Sequence, residues 1–193
     1  MTLTRNKRTV AVLFSVLLPL LLLLMSYHIV LLFTSLTPAQ ETVFSFLEGK
    51  ENLPEDFTPS EASHLEDVKQ VMKYADHMLY VLLLGVILAL TYYRKEKEFI
   101  LKSLNYGGKV TVAVMLFLGV LSLLFFDFIF AIFHKIFFPQ GNWLFAADSL
   151  IIQTFPPEFF VSISRNIFIL TLFLGILFIL SGYTYRYVLR HRN

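Results

Sequence analysis

The sequence predicts an all-α membrane protein with four transmembrane helices, short helices and an aromatic loop on the extracytoplasmic side. Composition supports this class: 56% of the 193 residues are hydrophobic and only 16% are charged, below the quarter typical of soluble domains. The mean hydropathy is +0.68. Four long apolar stretches lie at about 10–36, 74–93, 110–138 and 159–185. Lys and Arg gather in the segments on one side of these stretches.

Each apolar stretch is interpreted as a membrane span. A helix crosses the hydrocarbon core with roughly 20 residues. Three stretches reach that length alone, and Tyr74 and Ala75 extend the second. The first stretch is too long for a signal peptide, and no small-x-small cleavage site follows it, so we expect a permanent helix. Residues 1–193 then form a single integral membrane domain.

The distribution of basic residues predicts the orientation. The N-terminal segment, the segment between the second and third spans, and the C-terminal segment together hold 11 Lys and Arg residues and two acids. The opposite side holds five basic residues and 12 acids. Because basic loops stay in the cytoplasm, both termini are predicted to be cytoplasmic. The segments at about 37–73 and 139–158 are predicted to be extracytoplasmic. The cytoplasmic basic residues are Arg5, Lys7, Arg8, Arg94, Lys95, Lys97, Lys102, Lys109, Arg186, Arg190 and Arg192.

The first outer segment carries two helix-start signals of the same kind. Thr37-Pro38-Ala39-Gln40 and Thr58-Pro59-Ser60-Glu61 each combine an N-cap threonine, a proline at the first helical position and a capping-box residue. Gly49 suits the end of the first helix. No Gly or Pro lies between Ser60 and Leu84, so the second helix is predicted to continue into the second span.

The histidines of the outer side are candidate site residues. His64 lies beside an apolar stripe that starts at Leu65, and Asp67 follows three residues later on the same helix. The simplest interpretation is a solvated helix face with a neutral histidine. His77 is expected at the membrane boundary, and His28 lies in the outer part of the first span.

Ionisable residues also occur in the third and fourth spans. Asp127 lies within the third, His134 follows seven residues later, and Arg165 lies about two turns into the fourth. A charge in hydrocarbon costs several kcal/mol, so such groups usually face the interior and pair. Asp127 and Arg165 are therefore predicted to form an ion pair, which either serves the fold or positions a substrate headgroup.

The second outer segment is rich in aromatic residues. Pro139, Gly141 and Asn142 predict a turn, and the neighbouring Phe residues and Trp143 suit the headgroup region of a membrane. Asp148 is expected to cap a short helix at 150–152. A loop that dips into the interface accounts for the aromatic residues but not for His134.

The motifs of these segments, taken together, resemble a known family. They are His64-Leu65-Glu66-Asp67-Val68-Lys69, then Phe133-His134-x-x-Phe137-Phe138-Pro139, then Asn142-Trp143-Leu144-Phe145, and finally Asp148-x-Leu150-Ile151-x-x-Phe155-Pro156-x-x-Phe159-Phe160. In these motifs, and in length, number of spans and loop order, the chain resembles the lipoprotein intramolecular transacylases of Gram-positive bacteria.

The resemblance implies a specific reaction. In this family an acyl chain moves from the sn-2 oxygen of a lipoprotein's diacylglyceryl group to the α-amine of its own N-terminal cysteine, which yields the lyso-form lipoprotein. The family's two key extracytoplasmic histidines correspond to His64 and His134. The resemblance also implies a diacylated lipoprotein and membrane lipids as partners, with no nucleic acid, and a bacterial cell membrane location. Supporting residues implied by nearby motifs are Asp67, Asn142, Trp143, Asp148 and Arg165, and Asp127 joins them as the predicted partner of Arg165.

The residues themselves are compatible with that chemistry. Aminolysis of an ester needs a neutral amine, and an α-amine with a pKa near 8 is mostly protonated at neutral pH. One histidine can accept a proton and another can donate one to the departing oxygen; the sequence leaves open which does which. The chain has no cysteine and no Gly-x-Ser-x-Gly motif, so no acyl-enzyme, metal or cofactor is expected.

Two other functions fit the sequence less well. A membrane metal enzyme would use His64, His77 and His134, but their spacing matches no metal motif. A non-catalytic lipid-binding chaperone or transporter subunit would tolerate replacement of both motif histidines. Paired broken helices, typical of transporters, are not evident in the sequence.

Overall fold

The computed structural model describes residues 5–191, with side chains described from 6 to 182. Every regular element in that range is an α-helix, which confirms the predicted class. Four of the basic residues that predict the orientation, Arg5, Arg186, Arg190 and Arg192, lie outside the described side chains. The seven helices of the described range are α1 (Arg5–Phe33), α2 (Pro38–Leu47), α3 (Pro59–Tyr92), α4 (Lys97–Leu124), α5 (Phe126–Phe137), α6 (Leu150–Thr154) and α7 (Pro157–His191).

Four of these helices, α1, α3, α4 and α7, are long and apolar enough to cross a membrane. The protein is therefore a multi-pass membrane protein. α3 has 34 residues, which makes it about 50 Å long, whereas the hydrocarbon core is about 30 Å thick. Its apolar part, residues 74–92, is about 30 Å long and matches the predicted second span. The preceding part, 59–73, is rich in charged residues, and both parts belong to one unbroken helix, as predicted.

The third apolar stretch, predicted as one span over 110–138, is divided between two helices. α4 ends at Leu124 and α5 begins at Phe126, because Phe125 adopts φ −139° and ψ 41° and leaves the helical conformation. No Gly or Pro marks this break in the sequence. Asp127 lies in the first turn of α5, where the helix dipole favours a carboxylate. His134 is consequently carried by α5, a short helix separate from α4.

Small residues bring the spans close together. A Cβ atom added at Gly108 of α4 would lie 2.6 Å from the carbonyl oxygen of Gly175 in α7, so only glycine permits this approach. Nearby, Asn105 Nδ2 donates to Ile179 O at 2.7 Å. Close backbone contact and interhelical hydrogen bonds of this kind stabilise helix pairs in membranes. On the other side of the bundle, leucines of α1 and α3 form a buried cluster: Leu18, Leu21, Leu22, Leu79 and Leu82.

A second buried cluster lies at the loop end of the bundle, the end formed by residues 34–73 and 138–156. It joins α2, α3 and α6, and its members are Val43, Phe46, Leu47, Leu65, Ile151 and Phe155. Both predicted capping boxes are confirmed: Thr37 caps α2 with Gln40, and Thr58 caps α3 with Glu61. The loop end is thus a small packed layer that rests on the spans.

The two capping-box residues also hold α6. Gln40 Nε2 donates to Thr154 O at 2.9 Å, and Ile151 N donates to Glu61 Oε1 at 2.9 Å. The expectation that Asp148 caps this helix is wrong: the N-cap residue is Ser149, and Asp148 is exposed. The buried carboxylate of Glu61, from another helix, satisfies the N–H group that a local cap would otherwise serve.

Candidate active site

His64 lies in the charged N-terminal part of α3 and points into the loop end. Its side chain is buried, with 8% of its surface exposed. The imidazole packs edge-on against Phe138, with ring centroids 4.7 Å apart, and lies 5.5 Å from the ring of Phe145. Leu65, the next residue, belongs to the buried cluster of the loop end. The simplest sequence interpretation, a solvated histidine, is therefore wrong.

His134 approaches the same place from α5. Its ring lies 5.6 Å from Phe138 and 4.8 Å from Trp143, measured between centroids. Nδ1 lies 2.8 Å from the carbonyl oxygen of Phe130, one helical turn earlier. Since a carbonyl only accepts, Nδ1 carries the proton and Nε2 is the nitrogen left for other partners. Both histidines thus contact one ring, that of Phe138.

A polar network surrounds Asp67, one turn after His64. Asn142 Nδ2 donates to Asp67 Oδ2 at 2.7 Å and to Ser63 Oγ at 3.1 Å. Gln140 Nε2 also donates to Asp67 Oδ2. Through these bonds the turn around Gly141, which has a φ of +80°, is tied to α3. The network fixes the segment that carries Asn142 and Trp143 beside the two histidines.

Burial sets the protonation of both imidazoles. Burial, with a smaller effect from the nearby His134, lowers the pKa of His64, while Asp67 and the Asn142 amide raise it; the net result is a pKa of about 4. Burial also lowers the pKa of His134, against the effect of its bond to Phe130. Both rings are therefore neutral near pH 7, with a lone pair available to take up a proton.

The surroundings of Glu61 favour its charged form, whereas those of the histidines favour the neutral form. Burial raises the pKa of its carboxyl, but hydrogen bonds from Ile151 and Thr58 outweigh that effect and lower it. The residue is a permanent anion at neutral pH, three residues before His64. Its role is structural, because both carboxylate oxygens accept hydrogen bonds within the protein: Oε1 from Ile151 N, and Oε2 from the backbone and side chain of Thr58.

The other predicted site residues lie apart from the histidines. Asp127, Asp148 and Arg165 are exposed, and in the described part of the chain no hydrogen bond or ring contact joins them to His64 or His134. The predicted ion pair of Asp127 with Arg165 is not among those of the described residues. A contact that the sequence did not indicate brings His28 Nε2 within 3.2 Å of Asp76 Oδ1.

Several members of the site were not predicted from the sequence as site residues. Phe138 and Phe145 contact His64, Gln140 donates to Asp67, Ser63 accepts from Asn142, and Glu61 accepts from Ile151 of α6. Glu61 was recognisable only as a capping residue, because its second partner is 90 positions away. Gln140 was part of a predicted turn, and nothing in the sequence connects it with Asp67. Only the tertiary contacts reveal these roles.

The described residues contain no cluster of side chains suited to bind a metal ion. No group of three or more His, Cys, Asp or Glu side chains lies close enough to hold an ion there. His77 follows His64 by 13 positions on one continuous helix, which separates them by about 20 Å along its axis. His77 Nδ1 instead lies 2.6 Å from Lys73 O.

Two neutral imidazoles beside one aromatic ring can accept and donate protons in a largely apolar setting. The two rings are carried by different helices, α3 and α5, and meet at Phe138.

One family model matches most of the chain. The model of the family "Lipoprotein intramolecular transacylase Lit" matches residues 34–160. A protein of Aquifex aeolicus (strain VF5) is 28% identical over 129 residues, and the match covers 65% of this chain and 56% of the length of that relative.

Solved structures of the membrane integral lipoprotein intramolecular transacylase from Bacillus cereus share the fold. One has a TM-score of 0.79 at 20% identity and covers 97% of both chains. A variant with one histidine replaced by arginine has a TM-score of 0.75 at 20% identity, covering 97% of this chain and 93% of that one. A variant with one histidine replaced by alanine also scores 0.75 at 20% identity, covering 97% and 95%.

Proposed function

The chain belongs to the lipoprotein intramolecular transacylase family, and from this premise we propose that it moves the sn-2 acyl chain of a diacylglyceryl-modified lipoprotein to the α-amine of that lipoprotein's N-terminal cysteine. The product is the lyso-form lipoprotein, with one ester-linked and one amide-linked chain. The observation that carries the proposal is the meeting of His64 and His134 on the ring of Phe138.

The two imidazoles supply the proton transfers of an aminolysis. The substrate enters mainly as an α-ammonium ion, and one histidine takes its first proton. The neutral amine then attacks the ester carbonyl, and the other histidine takes a second proton as the C–N bond forms. The C–O bond breaks, and the first histidine returns its proton to the glycerol oxygen. The second proton is released to solvent, so atoms and charge balance.

The surroundings of the histidines suit such a substrate. Aromatic side chains from α5 and the following segment, among them Phe133, Phe138, Trp143 and Phe145, contact one or the other imidazole. They exclude water and offer apolar surface to acyl chains. Because amine and ester belong to one molecule, orientation alone can supply much of the acceleration. Asp67, Asn142 and Trp143 are the proposed supporting residues.

The proposed location of the site follows from the distribution of Lys and Arg along the chain. The positive-inside rule puts both termini in the cytoplasm and the loop end on the outer face of a bacterial cell membrane. That face is where a lipoprotein anchored by its acyl chains would meet His64 and His134. Asp127, Asp148 and Arg165 are exposed and lie apart from the histidines. We propose that they help to position the polar part of the substrate and take no part in the proton transfers.

The test measures the mass and the amine of a substrate. Purified protein in detergent is incubated with a synthetic diacylglyceryl-cysteine lipopeptide, without phospholipid or added metal. We expect an unchanged mass, loss of the primary amine, and fragment ions that place one acyl chain on the N-terminal nitrogen. A gain of one acyl chain would identify an intermolecular transferase, and a loss of one chain a lipase. An unchanged amine would contradict the proposed activity.

A further inference from the structure

Two polar atoms beside the proposed reaction centre are buried and have no hydrogen-bond partner in the described part of the chain: His64 Nδ1 and Asn142 Oδ1. A buried polar atom without a partner costs about 1–3 kcal/mol. Such atoms are rare in native structures and call for an explanation. One is a ring nitrogen able to donate and the other an amide oxygen that only accepts, so they are complementary.

The orientation of the Asn142 amide is determined by its neighbours. Its Nδ2 donates to Asp67 Oδ2 at 2.7 Å and to Ser63 Oγ at 3.1 Å. A carboxylate accepts and does not donate, so the nitrogen must face Asp67 and the oxygen must face away from it. Gln140, which also donates to Asp67 Oδ2, holds the carboxylate from a second direction.

Resting on the proposed function, we propose that Asn142, oriented by Asp67, is a positioning residue: its Oδ1 accepts a hydrogen bond from Nδ1–H of His64, so that Nε2 of His64 is the atom that takes the proton from the attacking amine. His64 is then the base of the reaction. His134, whose Nδ1 is committed to Phe130 O, takes the first proton of the ammonium ion and returns it to the glycerol oxygen.

This role explains why a short polar network is built into an aromatic site. Without an acceptor at Nδ1, a neutral imidazole exchanges between two tautomers, and only the Nδ1–H form leaves Nε2 free to accept a proton. The effect of Asn142 on His64 has the expected direction, because the amide raises the pKa of this imidazole against burial. The charged and titratable groups around His64 are Glu61 and Asp67 on α3 and His134 on α5.

The first measurement is spectroscopic and uses the unaltered protein. In protein labelled with ¹⁵N at histidine, the two neutral tautomers give distinct ring-nitrogen shifts, and His64→Asn identifies the signals of His64. We expect the Nδ1–H tautomer for His64 at pH 7. A dominant Nε2–H tautomer in the unaltered protein would overturn the proposal, whether or not the lipopeptide is converted.

The second measurement is kinetic. Asn142→Leu keeps a similar volume but removes the acceptor, and we expect kcat for the lipopeptide to fall about 100-fold, the scale of general-base catalysis, with KM little changed and the two tautomers of His64 mixed. Gln70→Leu is the matched control, because this amide of α3 is exposed and its side chain donates to Glu66, away from His64. Unchanged kcat in Asn142→Leu would overturn the proposal.

The exchange Asp67→Asn with Asn142→Asp separates positioning from mere packing. It returns an acceptor to His64 and a donor to the carboxylate that replaces Asn142, at unchanged net charge. We expect the double variant to restore the Nδ1–H tautomer of His64. We also expect it to regain at least a tenth of the kcat that is lost in Asn142→Leu. Correct tautomers without any lipopeptide conversion in the unaltered protein would refute the transacylase function and leave the positioning role intact.

Discussion

His64 illustrates how the environment of one side chain changes its chemistry. An exposed histidine on a helix would be partly charged near its ordinary pKa of about 6.5. Here the aromatic rings of Phe138 and Phe145 cover the imidazole, and burial keeps it neutral. A neutral imidazole in an apolar site is the form that a general base requires. The same reasoning applies, with a smaller degree of burial, to His134.

Replacement of either imidazole removes one of the two proton transfers. His64→Asn and His134→Asn are each expected to lower lipopeptide conversion by at least about 100-fold, while the protein still inserts and accumulates. His77→Asn is the control, since His77 is exposed and its Nδ1 lies against the backbone carbonyl of Lys73, one turn earlier on the same helix. Full activity in either motif variant, measured by loss of the substrate's primary amine, would refute the two-histidine mechanism.

The lowered pKa of His64 predicts how stability changes with pH. In the unfolded chain a histidine binds a proton below pH 6.5, whereas folded His64 does so only below about pH 4. The unfolded state therefore binds more protons between these values. The stability linked to His64 is complete above pH 6.5 and is lost as the pH falls to about 4. The loss amounts to about 3 kcal/mol.

Thermal unfolding in detergent at several pH values checks this expectation. The melting temperature of the unaltered protein should fall more steeply between pH 6.5 and 4 than that of His64→Asn. The comparison isolates His64 because Glu61, Asp67 and His134, the other titrating groups nearby, are present in both proteins. Parallel pH profiles would mean that His64 is protonated in the fold at its ordinary pKa.

Helix α6 shows how a short element depends on others. Five residues form too little structure to persist alone. Its ends are held by Glu61 at Ile151 and by Gln40 at Thr154, and Ile151 is buried in the loop-end cluster. The capping boxes of α2 and α3 thus have a second function, which is to attach the segment that leads from the aromatic loop into α7.

Glu61→Ala should therefore destabilise the loop end more than a helix cap alone would. It removes the capping-box partner and leaves the Ile151 N–H buried without an acceptor, which together should cost about 2–4 kcal/mol. Glu66→Ala, an exposed acid on the same helix, is the matched control. Melting temperatures of the two variants in the same detergent give the comparison. Equal values would show that the Glu61–Ile151 bond contributes nothing to stability.

Across the whole molecule, the four spans serve to present the loop end at one membrane face. α4 and α7 pack closely through Gly108 and Gly175, and α1 packs on both. The histidines occupy elements outside this apolar bundle, the extension of α3 and the short α5. A substrate held in the membrane by acyl chains would meet them at the boundary between the hydrocarbon and the water.

The predicted orientation can be tested because the chain has no native cysteine. Cysteines introduced at Glu48 and Gln140 should react with an impermeant thiol reagent on intact cells, since both positions lie in the predicted outer segments. A cysteine at Lys97, in the basic segment between the second and third spans, should react only after permeabilisation. Labelling of Lys97→Cys alone would reverse the orientation and place both histidines in the cytoplasm.

Local patterns in the sequence were sufficient for the elements whose causes are local. Hydropathy alone indicates four spans, since a helix must satisfy its own backbone in lipid. The capping boxes at Thr37 and Thr58 and the unbroken α3 were predicted correctly, because their determinants lie within a few residues of each other. The break at Phe125 was missed, since no Gly or Pro marks it.

The site depends on contacts between distant parts of the chain. His64 and Phe138 are 74 positions apart, and Asp67 and Asn142 are 75; no periodicity relates such pairs. The motifs indicated that these residues matter, but not that Asp67 sets the orientation of an amide, nor that Glu61 holds α6. Burial and hydrogen-bond geometry depend on which elements pack together. They therefore follow from the assembled fold, whereas the spans and caps follow from local sequence.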